Sequence, residues 1–217
     1  MNKLCFISGL GADEKAFSNL PDFGIPKVDV KWIPNEHNES LYNYAQRLIS
    51  KYRINQGDII IGLSFGGLLA QQMAEILGSR YVILISSFRT REDLKFLFRH
   101  GLRLHLHKLI PELKSDFIGS LVANYLNSGS QISRPIIEEM VKETDMKLMK
   151  WSIEKIFELK SELAQDVVKF NLIGSNDRIV KFWHNETTYE ISGGSHFMVF
   201  EEADAVSRII QNVILNN

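Results

Sequence analysis

The sequence predicts an α/β fold: a mostly parallel sheet of about six strands, helices on both faces and an all-helical insertion. Three observations carry this. Short apolar runs rich in β-branched residues alternate along the chain with segments of helical periodicity, the order that crossover helices between parallel strands produce. The runs at 58–64 and 81–87 are apolar almost throughout, as strands buried on both faces are. Residues 88–166 contain helical patterns and no convincing strand.

In chain order, "LCFISG" (4–9) is a short apolar run stopped by Gly9 and Gly11, and "KVDVKWIP" (27–34) alternates until Pro34. Both read as strands, with a short helix at "DEKAFSNL" between them. "SLYNYAQRLISKY" (40–52) follows a candidate N-cap at Ser40 and carries Leu41, Tyr44, Ala45, Leu48 and Ile49 at helical spacing. The buried strand "DIIIGLS" leads into a helix at 66–78 that should end at Gly78, where a left-handed residue is easiest. "YVILISS" is the next strand. After the insertion, "VVKFNLIGSND" (167–177) and "TTYEISGGSH" (187–196) read as two more strands, and an amphipathic helix closes the chain through Val206, Ile209, Ile210, Val213 and Ile214.

With 217 residues, 45% of them hydrophobic, the chain can bury a full core, as one large domain or one domain with an insertion. The division expected is a core of 1–87 and 167–217 and a helical cap at 88–166. A net charge of -1 supplies no field for a polyanion, and no nucleic-acid recognition motif occurs. Cys5 is the single cysteine, so no intramolecular disulfide can form, which suits a reducing compartment. The first apolar run, about five residues, falls short of the roughly 7–15 of a signal-peptide core, and nothing approaches the ~20 needed to span a membrane. A cytoplasmic protein is expected.

"IIIGLSFGGL" (59–68) sets one hydroxyl between glycines where a strand meets a helix. That is the pattern of a nucleophile elbow, G-x-S-x-G, here from Gly62 to Gly66 around Ser64. The sharp turn brings chain so close that side chains at 62 and 66 would clash, and it lifts the Ser64 hydroxyl above the sheet edge. The N–H of Phe65, at the start of the helix, is the first candidate donor to an oxyanion. A serine hydroxyl is a weak nucleophile at its own pKa, so a base and an orienting acid are required.

Asp177, after the strand ending in "GSND", and His196, after the one ending in "GGSH", follow Ser64 in the order expected of hydrolases with this elbow. Both fall at C-terminal strand ends, where parallel sheets collect ligands and catalysts. His37 follows the wrong strand, His100, His105 and His107 lie in the insertion, and His184 lies between the last two strands. Taken singly, Asp177 also reads as a turn residue and His196 as a half-buried loop histidine. The second donor is expected from the glycine-rich "SGLGAD", at the N–H of Leu10; a tight turn without catalytic duty is the other reading.

Together "SGLGAD", "GLSFGG", "GSNDRIV" and "GGSHFMVF" resemble, in order, the oxyanion loop, elbow, acid loop and histidine loop of the α/β-hydrolase superfamily. The resemblance covers almost the whole chain and implies the α/β-hydrolase fold, with a minimal sheet and residues 88–166 in the place of the variable cap. It departs at Ser8, where the superfamily often has histidine, and at "WIPNEHNES", which replaces a glycine-rich turn. It implies that the first and third strands are neighbours. It also implies a Ser64, Asp177, His196 triad with Leu10 and Phe65 as oxyanion donors, no metal or organic cofactor, and a carboxylic ester of small or medium size as substrate. Acyl transfer, thioester hydrolysis or carbon–carbon bond hydrolysis would use the same residues, and a non-catalytic ligand-binding protein could keep the fold.

For the substrate, Phe88, Leu94, Phe98 and Leu121 are candidate contacts of an acyl pocket and equally candidates for helix packing. Arg89, Arg91, Lys95, Arg99, Arg103 and Lys108 make the start of the insertion basic, which reads as a solvated helix face; the resemblance adds an acidic carrier protein as a candidate partner, since some superfamily members with basic caps act on carrier-linked esters. His105 and His107, two residues apart, point to different helix faces and have no cysteine or nearby carboxylate to complete a zinc site.

Overall fold

The computed structural model describes residues 2–95, 126, 133–159 and 163–217. The strands are β1 (Leu4–Ile7), β2 (Lys27–Val30), β3 (Ile59–Leu63), β4 (Tyr81–Ile85), β5 (Val168–Gly174) and β6 (Thr188–Ile191). They form one sheet in the order β2-β1-β3-β4-β5-β6, and every pairing in it is parallel. The first and third strands are neighbours as expected, with Ile7 opposite Gly62, so the ends of β1 and β3 open side by side.

Alternation along each central strand divides the core into two layers. Cys5, Ile7, Ile60, Val82 and Leu84 face one side, where α1 (Leu41–Tyr52) and α2 (Phe65–Leu77) supply Tyr44, Leu48, Leu68, Leu69 and Met73. Leu4, Phe6, Ile61, Ile83 and Ile85 face the other, and meet α5 (Ala203–Asn216) through Val206, Ile210 and Val213. Strands covered on both faces have no solvent side to mark, which is why their sequences read as unbroken apolar runs. Burial raises the Cys5 thiol pKa to about 12, with the nearby Asp58 adding to the effect, so this cysteine is a core side chain and a poor nucleophile.

The local signals position the helices. Ser40 Oγ accepts from Asn43 N at 3.1 Å and starts α1, and Gly78, at φ 64°, ends α2. In the insertion, α3 (Arg134–Glu143) and α4 (Met146–Glu158) pack into the same two layers, α3 through Ile137, Met140 and Val141 and α4 through Leu148, Trp151 and Ile156. At the entrance to this stretch, backbone pairing ties it to the loop after β5. Leu94 forms an antiparallel bridge with Val180, Lys95 N donates to Ile179 O at 2.7 Å and Lys181 N to Asp93 O at 2.8 Å. A single bridge depends on its distant partner, so local periodicity carries no sign of it.

Candidate active site

The elbow is built as the glycines require. Ser64 sits between β3 and α2 at φ 52°, ψ -119°, a left-handed conformation that ordinary residues avoid. A Cβ on Gly66 would lie 2.2 Å from Ser8 O and 2.3 Å from Ile7 O, and one on Gly62 would lie 2.4 Å from Gly66 O. The strained turn is tied down by Ser64 N donating to Ile85 O at 2.9 Å and by the Ser87 hydroxyl donating to Ser64 O at 2.7 Å. Ser87 appears in the sequence only as the polar end of a strand.

The loops after β5 and β6 meet the elbow. In the tautomer protonated at Nδ1, His196 donates to Asp177 Oδ2 at 2.9 Å and Oδ1 at 3.0 Å, while Nε2 lies 2.9 Å from Ser64 Oγ and accepts its hydroxyl proton. Asp177 is 0% exposed and His196 4%, whereas Ser64 is partly open. The two loops hold each other through Ser175 N to Ile191 O at 3.0 Å and Asn176 N to Gly194 O at 2.9 Å.

The buried carboxylate is satisfied, with Asp177 Oδ1 accepting from the N–H groups of Ile179 and Val180 at 2.8 and 2.9 Å. Burial pushes its pKa up, but the charge and hydrogen bond of His196 and the two backbone donors outweigh that and hold it below the usual carboxylate value. A folded-state pKa below the unfolded value of about 3.9 means stability that is complete above that pH and lost as pH falls through the lower folded value. The gap in melting temperature between wild type and Asp177→Asn should therefore narrow from pH 7 to pH 3; a constant gap would contradict this.

The 9–12 turn carries Leu10. Neither Leu10 N–H nor Phe65 N–H donates to a protein acceptor among the described residues. A Cβ on Gly9 would lie 3.2 Å from Ser64 Cβ, which measures how closely this turn approaches the serine. Ser8 donates its hydroxyl to Ala12 O at 2.8 Å and accepts from Trp32 Nε1 at 2.9 Å. A cleft of about 350 Å³ adjoins the turn, lined by Leu10, Gly11, Trp32, Met140 and Leu148 among others. Neither Ser64 nor His196 lines it, so it neighbours the serine through the turn and is not itself the chamber around the hydroxyl.

The remaining candidates lie elsewhere in the structure. Phe88 and Leu94, 2% and 1% exposed, are buried in the same core layer as α2 and do not line this cleft; Phe98 and Leu121 lie outside the described residues. Of the basic residues at the start of the insertion, Arg89 pairs with Asp93 at 3.2 Å, Arg91 donates to Phe157 O at 3.1 Å and Lys95 donates to Asp177 O. Those three are engaged within the chain; Arg99, Arg103 and Lys108, with His100, His105 and His107, lie outside the described residues. Among the described residues, no group of three or more His, Cys, Asp or Glu could hold a metal, and no helix is long and apolar enough to cross a membrane.

A parallel six-stranded sheet in this order, with a strained serine at the turn from β3 into α2 and an acid and a histidine on the loops after β5 and β6, defines the α/β-hydrolase fold. The chain has that fold. It is similar over 99% of its length to a carboxylesterase structure of the thaumarchaeon Nitrososphaera gargenis, covering 90% of that chain with 15% identity and a TM-score of 0.75. It is likewise similar to a thermophilic esterase from Thermogutta terrifontis (99% and 89% covered, 14% identity, TM-score 0.75) and to the enol-lactonase from Burkholderia xenovorans (100% and 92% covered, 12% identity, TM-score 0.73). No protein-family model matches the sequence, and no curated protein does.

Proposed function

We propose that the protein is a serine hydrolase that cleaves a small or medium carboxylic ester through an acyl-enzyme. The observation that carries this reading is the continuous contact from Asp177 through His196 to Ser64, 2.9 Å at each link. His196 Nε2 takes the Ser64 proton as Oγ attacks the acyl carbon, and Asp177 steadies the imidazolium that forms. The charge arising on the acyl oxygen is met by the N–H groups of Leu10 and Phe65, and their lack of acceptors among the described residues supports this role. His196 then returns the proton to the leaving alcohol. A water molecule, deprotonated by the same nitrogen, attacks the acyl-enzyme and frees Ser64.

No metal or organic cofactor enters these steps. The fold neighbours named esterases and a lactonase support an ester as substrate class. In this reading α3 and α4 belong to a cap over the core, and the cleft beside the 9–12 turn gives room for a non-reacting part of the substrate. A cytoplasmic location is part of the proposal, supported by the single, buried cysteine.

Treatment with a fluorophosphonate and location of the added mass tests the reading. A label is expected on Ser64, absent from Ser64→Ala and sharply reduced in His196→Ala. A folded wild-type protein that takes no label would point instead to a ligand-binding protein on a hydrolase fold.

A further inference from the structure

Trp32 lies just beyond β2, in a segment that carries none of the three candidate reacting groups. Its surroundings are nevertheless built to hold the indole still. Two tyrosines of α1 clamp the residues on either side: Tyr44 Oη accepts from Ile33 N at 3.0 Å and donates to Ile33 O at 2.8 Å, and Tyr52 Oη accepts from Lys31 N at 3.0 Å. With both backbone neighbours pinned, the side chain has a fixed origin.

The indole then touches both halves of the candidate oxyanion hole. Its Nε1–H donates to Ser8 Oγ at 2.9 Å and to Ala12 O at 3.2 Å, while Ser8 Oγ donates to Ala12 O at 2.8 Å. These three contacts close the ends of the turn in which Ala12 N donates to Gly9 O at 3.1 Å and Gly11 takes φ 76°, the value a type II turn needs at its third residue. Leu10, the second residue of that turn, donates its N–H to no acceptor among the described residues. On its face, the indole stacks on the ring of Phe65, with centroids 5.7 Å apart and planes 25° apart. Phe65 carries the other N–H without an acceptor among the described residues, and Trp151 meets its ring edge-on at 6.1 Å.

We propose that Trp32 is a positioning residue for the oxyanion hole, one side chain setting the turn that presents Leu10 N–H and the ring of the residue that presents Phe65 N–H. The inference rests on the hydrolase reading above. It also gives Ser8 a part, as the hydroxyl that receives the indole N–H and passes the contact on to Ala12 O. Donors of this kind help only when aimed at the place where charge develops, so loosening the turn should weaken the transition state while leaving substrate binding largely intact.

The test uses 4-nitrophenyl acetate with Trp32→Phe, which keeps a ring against Phe65 and removes the N–H, and with Ser8→Ala. Outright removal of one such donor costs about 10²–10³ in kcat, so Trp32→Phe, which leaves the donor present but loosely aimed, should lower kcat about tenfold with KM within about twofold. Adding Ser8→Ala to Trp32→Phe should lower kcat by no more than about a further twofold, because both act through one contact. A kcat for Trp32→Phe within about twofold of wild type, or a loss carried by KM alone, overturns the proposal.

Hydrogen exchange of the 9–12 amides supplies a readout free of catalysis. Exchange about tenfold faster in Trp32→Phe supports the role, and unchanged exchange overturns it. Should wild type neither turn over ester nor label at Ser64, the hydrolase reading fails by itself and the exchange measurement decides whether Trp32 sets the turn. If Trp32→Phe does not fold, Ser8→Ala carries both measurements.

Discussion

Ser64→Ala is expected to lower kcat for 4-nitrophenyl acetate by about 10⁴-fold or more, with His196→Ala losing about as much. The reason is the single path of the proton. Ser64 Oγ lies 2.9 Å from His196 Nε2, so either substitution removes the attacking oxygen or leaves it an unactivated hydroxyl. Groups that act as one unit do not add, and the double variant should be no slower than the poorer single one.

Asp177→Asn should lose about 10⁴-fold while remaining folded, because an asparagine amide facing His196 favours the tautomer whose Nε2 already carries a proton and cannot take another from Ser64. Its carbonyl oxygen can still accept from Ile179 N and Val180 N, which preserves the loop. Steady-state kinetics with active-site titration provide the check. Retention of a tenth or more of wild-type kcat by Ser64→Ala would sink the mechanism.

Gly66→Ala is the substitution with the largest expected effect on stability, about 4 kcal/mol or more. At roughly 2–4 °C per kcal/mol for a chain of this size, the midpoint of thermal unfolding should fall by about 10 °C. The new methyl would stand 2.2 Å from Ser8 O and 2.3 Å from Ile7 O, both backbone atoms continuing from the centre of the sheet. No side chain can move aside, so α2 would have to separate from β1 and open the layer that Leu68, Leu69 and Met73 close. Gly24→Ala provides the contrast: φ is 71° there but the space is open, and the cost should be only about 1 kcal/mol. Equal losses in the two variants would show that close approach at the elbow is not what Gly66 serves.

Much of the site was legible because its parts are local. A glycine, serine, glycine step between a buried strand and a helix is a backbone signal contained in five residues, and Asp177 and His196 each follow a recognisable apolar run. The Ser40 cap and the Gly78 stop were likewise read from single residues beside periodic segments. The substrate candidates were less legible. Phe88 and Leu94 present the same apolar side chain to a reader of sequence whether they face a ligand or the core, and only the structure shows them buried in the layer of α2, with Leu94 bridged to Val180.

The chain by itself determined the strand and helix alternation, the need for a sharp turn at Ser64 and the order serine, acid, histidine, because hydrophobic period and glycine placement act within a few residues. The tertiary structure alone decided that Trp32 lies against Ser8 and Phe65, that Ser87 braces the elbow and that the insertion's entrance pairs with the acid loop. Those contacts join residues from 23 to 86 positions apart by number, and they exist only where packing of both faces of the sheet brings strand ends to one edge. No periodicity within a segment records which distant side chain will fill the space beside it.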